Sequence, residues 1–208
     1  MEPSDKTWAM IYDVAGRVHR LVDSLRVLSR AGARREPPDL QTVALDFLAH
    51  AGLDRMRLHF DEKGLELIAD VPADLPHVLA DPDYTIQVLV NLLTNALGYT
   101  PVPGKVTVAV DSSRAVEGVS IEPGAGEVVF SVTDTGVGIA AEHIPYLFER
   151  FFRVMPSSRA ADGSGTWLPV AKALVEAMGG QIWAQSPGLG QGTTFLFTLL
   201  SVTDPVGT

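Results

Sequence analysis

The chain has 208 residues, 46% of them hydrophobic and 20% charged, with a formal net charge of −9 and no cysteine. That is globular composition, enough for one sizeable core plus an appendage, and it excludes a disordered chain. The acidic balance argues against a broad nucleic-acid surface, and the missing cysteines exclude disulfides and thiolate metal sites.

The N-terminus, MEPSDKTWAM, lacks the basic and apolar regions of a signal peptide. No apolar run approaches the roughly 20 residues needed to span a bilayer. The expectation is a soluble, cytoplasmic protein or a soluble piece of a larger one. Ile11, Val14, Val18, Leu21, Leu25 and Leu28 then form a seam with a mean spacing near 3.5, which predicts a helix from about residue 6 to 30 packing on a partner helix. The partner is either this chain's own domain or a helix of another protomer. The charged, proline-bearing stretch ARREPPDLQ reads as a linker. The resulting division is a partial dimerisation helix over 1–33, a linker over 34–41 and a folded domain over 42–208.

Within that domain, a helix is predicted from about Leu40 through Asp61, with Gly52 as its weak point, and a strand over LELIADV. PADLPHVLADP is a loop with a short extended piece. Asp81 followed by Pro82 starts a helix over about 83–97, because an acidic cap and a first-turn proline suit the orphan amides. GKVTVAVD and GEVVFSVTD read as strands around a glycine-bearing loop. Two short helices are predicted around 142–152 and another over 168–178, ending at Gly179-Gly180. QIWAQS and TTFLFTLL close the chain as a hairpin around PGLGQG. Interleaved strands and helices give an α/β (α+β) class, with one sheet and helices on one face.

Four short patterns carry chemistry. In NLLTNALGYTP, Asn91 and Asn95 are four apart and share a helix face. Such residues either face solvent or cap, or they offer a neutral carbonyl to a magnesium shell beside phosphate oxygens. In DTGVGI, Asp134 ends a strand and Gly136 and Gly138 follow it, an arrangement suited to a ligand amino group. LFERFFR supplies core aromatics together with Arg150 and Arg153, whose guanidinium groups suit phosphate. GSGTWLPVAK begins as a glycine loop and leads into a helix, and GQGTTF turns tightly into the last strand.

Taken in order, these patterns resemble the catalytic, ATP-binding domain of bacterial sensor histidine kinases, over about residues 40 to 200. That domain shares a superfamily with type II topoisomerases and certain chaperones. VHRLVDSLRVLSRAGA is similar to the second helix of the family's dimerisation hairpin. The resemblance implies a Bergerat-type two-layer sandwich, a mixed sheet with helices on one face, preceded by a dimerisation-type helix. It implies ATP and Mg2+ as cofactors, held between the asparagine helix and a lid. By position, Asn95 is the implied magnesium ligand and Asn91 its neighbour near the phosphates. Asp134 is implied to bind the adenine amino group, with Gly136 and Gly138 admitting the base and Thr193 supporting the pocket. Gly163 and Gly165 are implied to border the triphosphate, and Arg150, Arg153 or Lys172 is the expected replacement for the phosphate-facing cation that the family carries at the position of Gly98. The ATP-hydrolysing branches carry a glutamate at the position of Asn91, and an amide cannot accept a proton from water. Kinase-type transfer is therefore favoured over hydrolysis.

Several departures stand out. Gly98 replaces a basic residue, Trp167 replaces a glycine of the loop, and Pro169 removes a backbone donor. No histidine sits in the family's acceptor motif, and His19 falls on the helix that resembles the second one. Two readings follow: a kinase domain whose acceptor histidine lies elsewhere, or a degenerate pseudokinase used as a protein-interaction module. Expected partners are a second copy or another subunit through the N-terminal helix, and a response regulator or an acceptor-helix protein.

Overall fold

The computed structural model describes residues 37–72, 75–111, 126–150, 152, 154 and 167–202. Along the chain these form β1 (Gln41–Ala44), α1 (Leu45–Lys63), β2 (Glu66–Asp70), β3 (His77–Ala80), α2 (Pro82–Tyr99), β4 (Lys105–Asp111) and β5 (Glu127–Asp134). A 3-10 turn (Ala141–Tyr146), α3 (Trp167–Ala177), β6 (Ile182–Gln185) and β7 (Thr193–Val202) follow. The predicted N-terminal helix lies outside the described residues.

The strands make one mixed sheet in the order β1-β3-β7-β5-β4-β2, with β6 also paired to β7. β2 and β4 are parallel, and the other pairs are antiparallel. β7 is the spine. β5 runs along one of its edges over 193–200, while β6 (at 194–197) and β3 (at 200–202) share the other.

Period-two patterning decides which face is covered. Val106, Val108 and Val110 of β4, Val128, Phe130 and Val132 of β5, and Phe195, Phe197 and Leu199 of β7 are all buried in one core with the helices. Antiparallel pairing places Phe130 directly opposite Phe197, and their rings stack with centroids 4.9 Å apart. Each such buried side chain contributes about 1.5–3 kcal/mol. From the helix side, Leu45, Leu48, Leu53 and Phe60 of α1 and Leu89, Leu92 and Leu93 of α2 complete the layer.

Gly52 is a contact point, not the weak point predicted for it. A Cβ there would sit 2.9 Å from Leu89 Cβ, so its absence lets α1 and α2 approach closely. The first helix also starts later than predicted: Gln41–Ala44 is an edge strand paired with β3, and the helix begins at Leu45. Val43 turns inward in that strand, and the helical spacing of buried residues begins only at Leu45. Asp39 is already tied down, its N–H donating to Asp81 Oδ2 at 3.0 Å. The folded unit therefore reaches back into the stretch expected to be linker. In place of two short helices over 142–152 there is one 3-10 turn containing Pro145, followed by turns. Proline has no N–H for a longer ladder. Phe148 meets Phe195 edge-on at 6.4 Å, which gives that aromatic its predicted core role.

No helix among the described residues is long and apolar enough to cross a membrane.

Candidate functional site

α2 starts as its sequence dictates. The Asp81 side chain accepts the Tyr84 N–H at 3.1 Å, and Pro82 occupies the first turn. Asn91 and Asn95 follow one turn apart, and the structure treats them differently. Asn91 is completely buried; its Oδ1 accepts from Gln87 Nε2 at 2.9 Å, and its Nδ2 donates to the Trp167 carbonyl at 3.4 Å. Asn95 is half-buried and makes no side-chain hydrogen bond to any described residue. Beyond it, Lys63 from the end of α1 donates to the carbonyls of Leu97 and Thr100. The C-terminal carbonyls of α2 thus have a cation, although Gly98 supplies none. Burial lowers the Lys63 pKa.

Opposite the end of α2 lies the turn after β5. Asp134 is only 5% exposed and sits directly across from Thr193, which is equally buried. Burial pushes the Asp134 carboxyl above its ordinary range, while backbone N–H groups of Gly136 and Thr193 pull it partly back. The Gly136 N–H reaches Asp134 Oδ1 at 2.7 Å. A carboxyl held this way, nearly dry and pre-aimed, keeps acceptor capacity for an N–H donor from a ligand.

Main-chain bonds zip this turn to the hairpin before β7. Gly190 N–H donates to Val137 O at 2.7 Å, and Gly192 N–H donates to Gly136 O at 3.2 Å. Ser186 Oγ accepts the Ile139 N–H at 3.0 Å and donates to Gly192 O at 2.7 Å. Val137 N–H reaches Tyr99 O at 3.1 Å, joining the turn to α2 one turn beyond Asn95. Space here is so tight that side chains would collide with backbone. A Cβ on Gly138 would overlap the Gly188 carbonyl, one on Gly192 the Asp134 carbonyl, and one on Gly136 the Tyr99 carbonyl. Gly138 and Gly192 also adopt positive φ of 65° and 75°. The protein's own backbone thus demands these glycines, before any ligand does.

Of the predicted site residues, Asn91, Asn95, Asp134, Gly136, Gly138 and Thr193 are brought together at these two walls. Arg153, Gly163 and Gly165 lie outside the described residues. Arg150 is exposed, and Lys172 faces solvent in a 3.7 Å pair with Glu176 along α3. Pro169 falls in the first turn of α3, where its missing N–H breaks no helical bond. Gln87, Ser186 and Lys63 are participants that the sequence reading missed. Only Gln87 carried a usable signal, four residues before Asn91 on the same helix.

A magnesium ion fits this donor set. Among the described residues no three His, Cys, Asp or Glu side chains cluster as a metal cage. One uncommitted amide carbonyl, completed by phosphate oxygens and water, is a pattern that magnesium accepts.

A family model described as "Histidine kinase-, DNA gyrase B-, and HSP90-like ATPase" matches residues 80–203. An adaptive-response sensory kinase, SasA, of Synechococcus elongatus is 34% identical over 182 residues, 88% of this chain and 44% of its own. Sensor histidine kinase WalK of Bacillus subtilis is 34% identical over 184 residues, 88% of this chain and 28% of its own. The full-length ShkA structure in complex with AMPPNP aligns with a TM-score of 0.75 and 28% identity, covering 99% of this chain and 42% of that one. The chain therefore spans less than half the length of these relatives. These likenesses lend no support to the pseudokinase alternative.

Proposed function

Because the chain belongs to the family of histidine kinase-, DNA gyrase B- and HSP90-like ATPases, we propose that it binds ATP and donates its γ-phosphoryl group to a histidine. Its folded unit is the ATP-binding catalytic domain of the sensor histidine kinases. Asp134 carries the reading: a carboxylate 5% exposed, aimed by two backbone N–H groups, is an acceptor waiting for a donor such as the adenine amino group. Thr193 supports it across the strands, and Gly136 and Gly138 line the same turn. Asn95 holds Mg2+, which when bound neutralises phosphate charge. Arg153, Gly163 and Gly165 are assigned to the phosphates on their residue types and place in the sequence alone.

No group at Asn91 can take a proton from water, which favours transfer over hydrolysis. The acceptor histidine belongs to another segment or polypeptide, since no histidine in this sequence sits in an acceptor motif. A second copy or another subunit is the proposed partner of the apolar seam over residues 11–28, and a response regulator is the downstream partner class.

Calorimetric titration of the folded chain with ATP tests this reading. Magnesium-dependent binding in the micromolar to submillimolar range is expected, and it weakens in Asp134→Asn. No heat at millimolar ATP overturns it.

A further inference from the structure

Two asparagines one turn apart on α2 have been given different work. A primary amide has a direction: its oxygen only accepts and its NH2 only donates. The Trp167 main-chain carbonyl can only accept, so it selects the Asn91 nitrogen as its neighbour, at 3.4 Å. Asn91 Oδ1 is then turned toward Gln87, which must present its own NH2, at 2.9 Å. Reversing either amide sets two oxygens or two NH2 groups face to face. One arrangement satisfies the chain, and Asn91 is completely buried within it. Trp167 is the first residue of α3, so the chain of bonds ends where that helix begins. Asn95, by contrast, is half-buried with its carbonyl uncommitted among the described residues.

We propose that Gln87, Asn91 and the Trp167 carbonyl form a positioning relay that fixes the start of α3 against α2. Asn91 is then a positioning residue, its amide committed to Gln87 and to the Trp167 carbonyl, and this role is separable from the metal role proposed for Asn95. The relay stands on the protein alone; only the assignment of Asn95 rests on the proposed nucleotide site.

The test uses the full chain labelled with 5-fluorotryptophan, the Trp167 fluorine resonance being assigned by its loss in Trp167→Phe. Gln87→Glu keeps the size but, when ionised, only accepts, so Asn91 must turn over and present its oxygen to the Trp167 carbonyl. The Trp167 resonance is expected to move or broaden. In Gln87→Arg, which still donates, it is expected to stay near its wild-type position. An unmoved resonance in Gln87→Glu overturns the relay.

A magnesium titration at fixed ATP tests the second half. Asn95→Ala is expected to raise the magnesium needed for half-saturation by about tenfold or more. Gln87→Met is expected to leave that requirement within about twofold, a shift worth about 0.4 kcal/mol. An equal rise in both variants means that the relay itself sets the metal site, and it overturns the division of labour. Failure of the wild type to bind Mg-ATP overturns the nucleotide reading instead, and the fluorine result still decides the relay.

Discussion

The two walls of the site are held by different means. On α2, position comes from side chains: an amide chain through Gln87 and Asn91, and a lysine from another helix at the C-terminus. Across from it, the turn after Asp134 is held by main-chain bonds to the 186–192 hairpin, with glycines where backbones nearly touch. Side-chain contacts can be tuned one residue at a time, because removing one leaves the helix intact. Backbone contacts cannot, because an added Cβ must move two segments at once. The first wall should yield graded variants and the second all-or-none ones.

The largest break in that contrast is expected at Gly138→Ala and Gly192→Ala. Each adds a Cβ onto a backbone carbonyl at positive φ, for a loss of about 3 kcal/mol or more by chemical denaturation. Gly190 serves as the control, since it has φ of 76° but nothing within 4 Å of an added Cβ. Gly190→Ala is expected to cost only the backbone preference, about 1–2 kcal/mol. Equal losses at all three glycines would refute the crowding argument.

Asp134→Asn comes next. ATP affinity is expected to fall by about tenfold or more, roughly 1.4 kcal/mol, while the melting temperature changes little. The pH behaviour of the wild type sharpens this. Burial raises the Asp134 pKa, so the folded protein holds that proton more tightly than the unfolded chain does. The stability contributed by the protonated form is full below the ordinary carboxylate pKa, and it is lost as pH rises through the raised one. Nucleotide affinity should move the opposite way across that window, rising as the carboxylate forms. Parallel melting and calorimetric titrations against pH would show the crossing, and Asp134→Asn should abolish both slopes.

The smallest effect belongs to the α2 wall. Lys63→Met removes a partly exposed cation from the carbonyls of Leu97 and Thr100, at an expected cost of about 1 kcal/mol or less after solvent screening. A loss as large as that of Gly192→Ala would mean that this wall is as unforgiving as the other.

Much of the fold was legible because local rules agreed with the tertiary outcome. The Asp81-Pro82 start of α2, the inward alternation of β4, β5 and β7, and the final hairpin follow from capping chemistry and side-chain period. Where local and distant demands parted, sequence reasoning failed. Gln41–Ala44 has no strong pattern of its own, and it is a strand because β3 offers it an edge. Gly52 reads as a helix breaker until Leu89 arrives beside it.

The site divides in the same way. Asn91, Asn95 and Asp134 were singled out by residue type and spacing, which are properties of a few neighbouring positions, and Thr193 only by the resemblance that the ordered patterns carry. What the sequence by itself determined was therefore the set of patterns: a strand-end carboxylate, a helical pair of amides and glycine turns in an order that names a family. Only the tertiary structure decided the division of labour within that set. It spent Asn91 on Gln87 and Trp167, left Asn95 open, and required the glycines for backbone approach. Those choices depend on which carbonyl or methylene lies a few ångströms away across long sequence separations, 76 residues for Asn91 and Trp167. Hydrogen-bond direction and steric overlap act only at such contact distances, and apart from the four-residue spacing of Gln87 and Asn91 no local pattern encodes them.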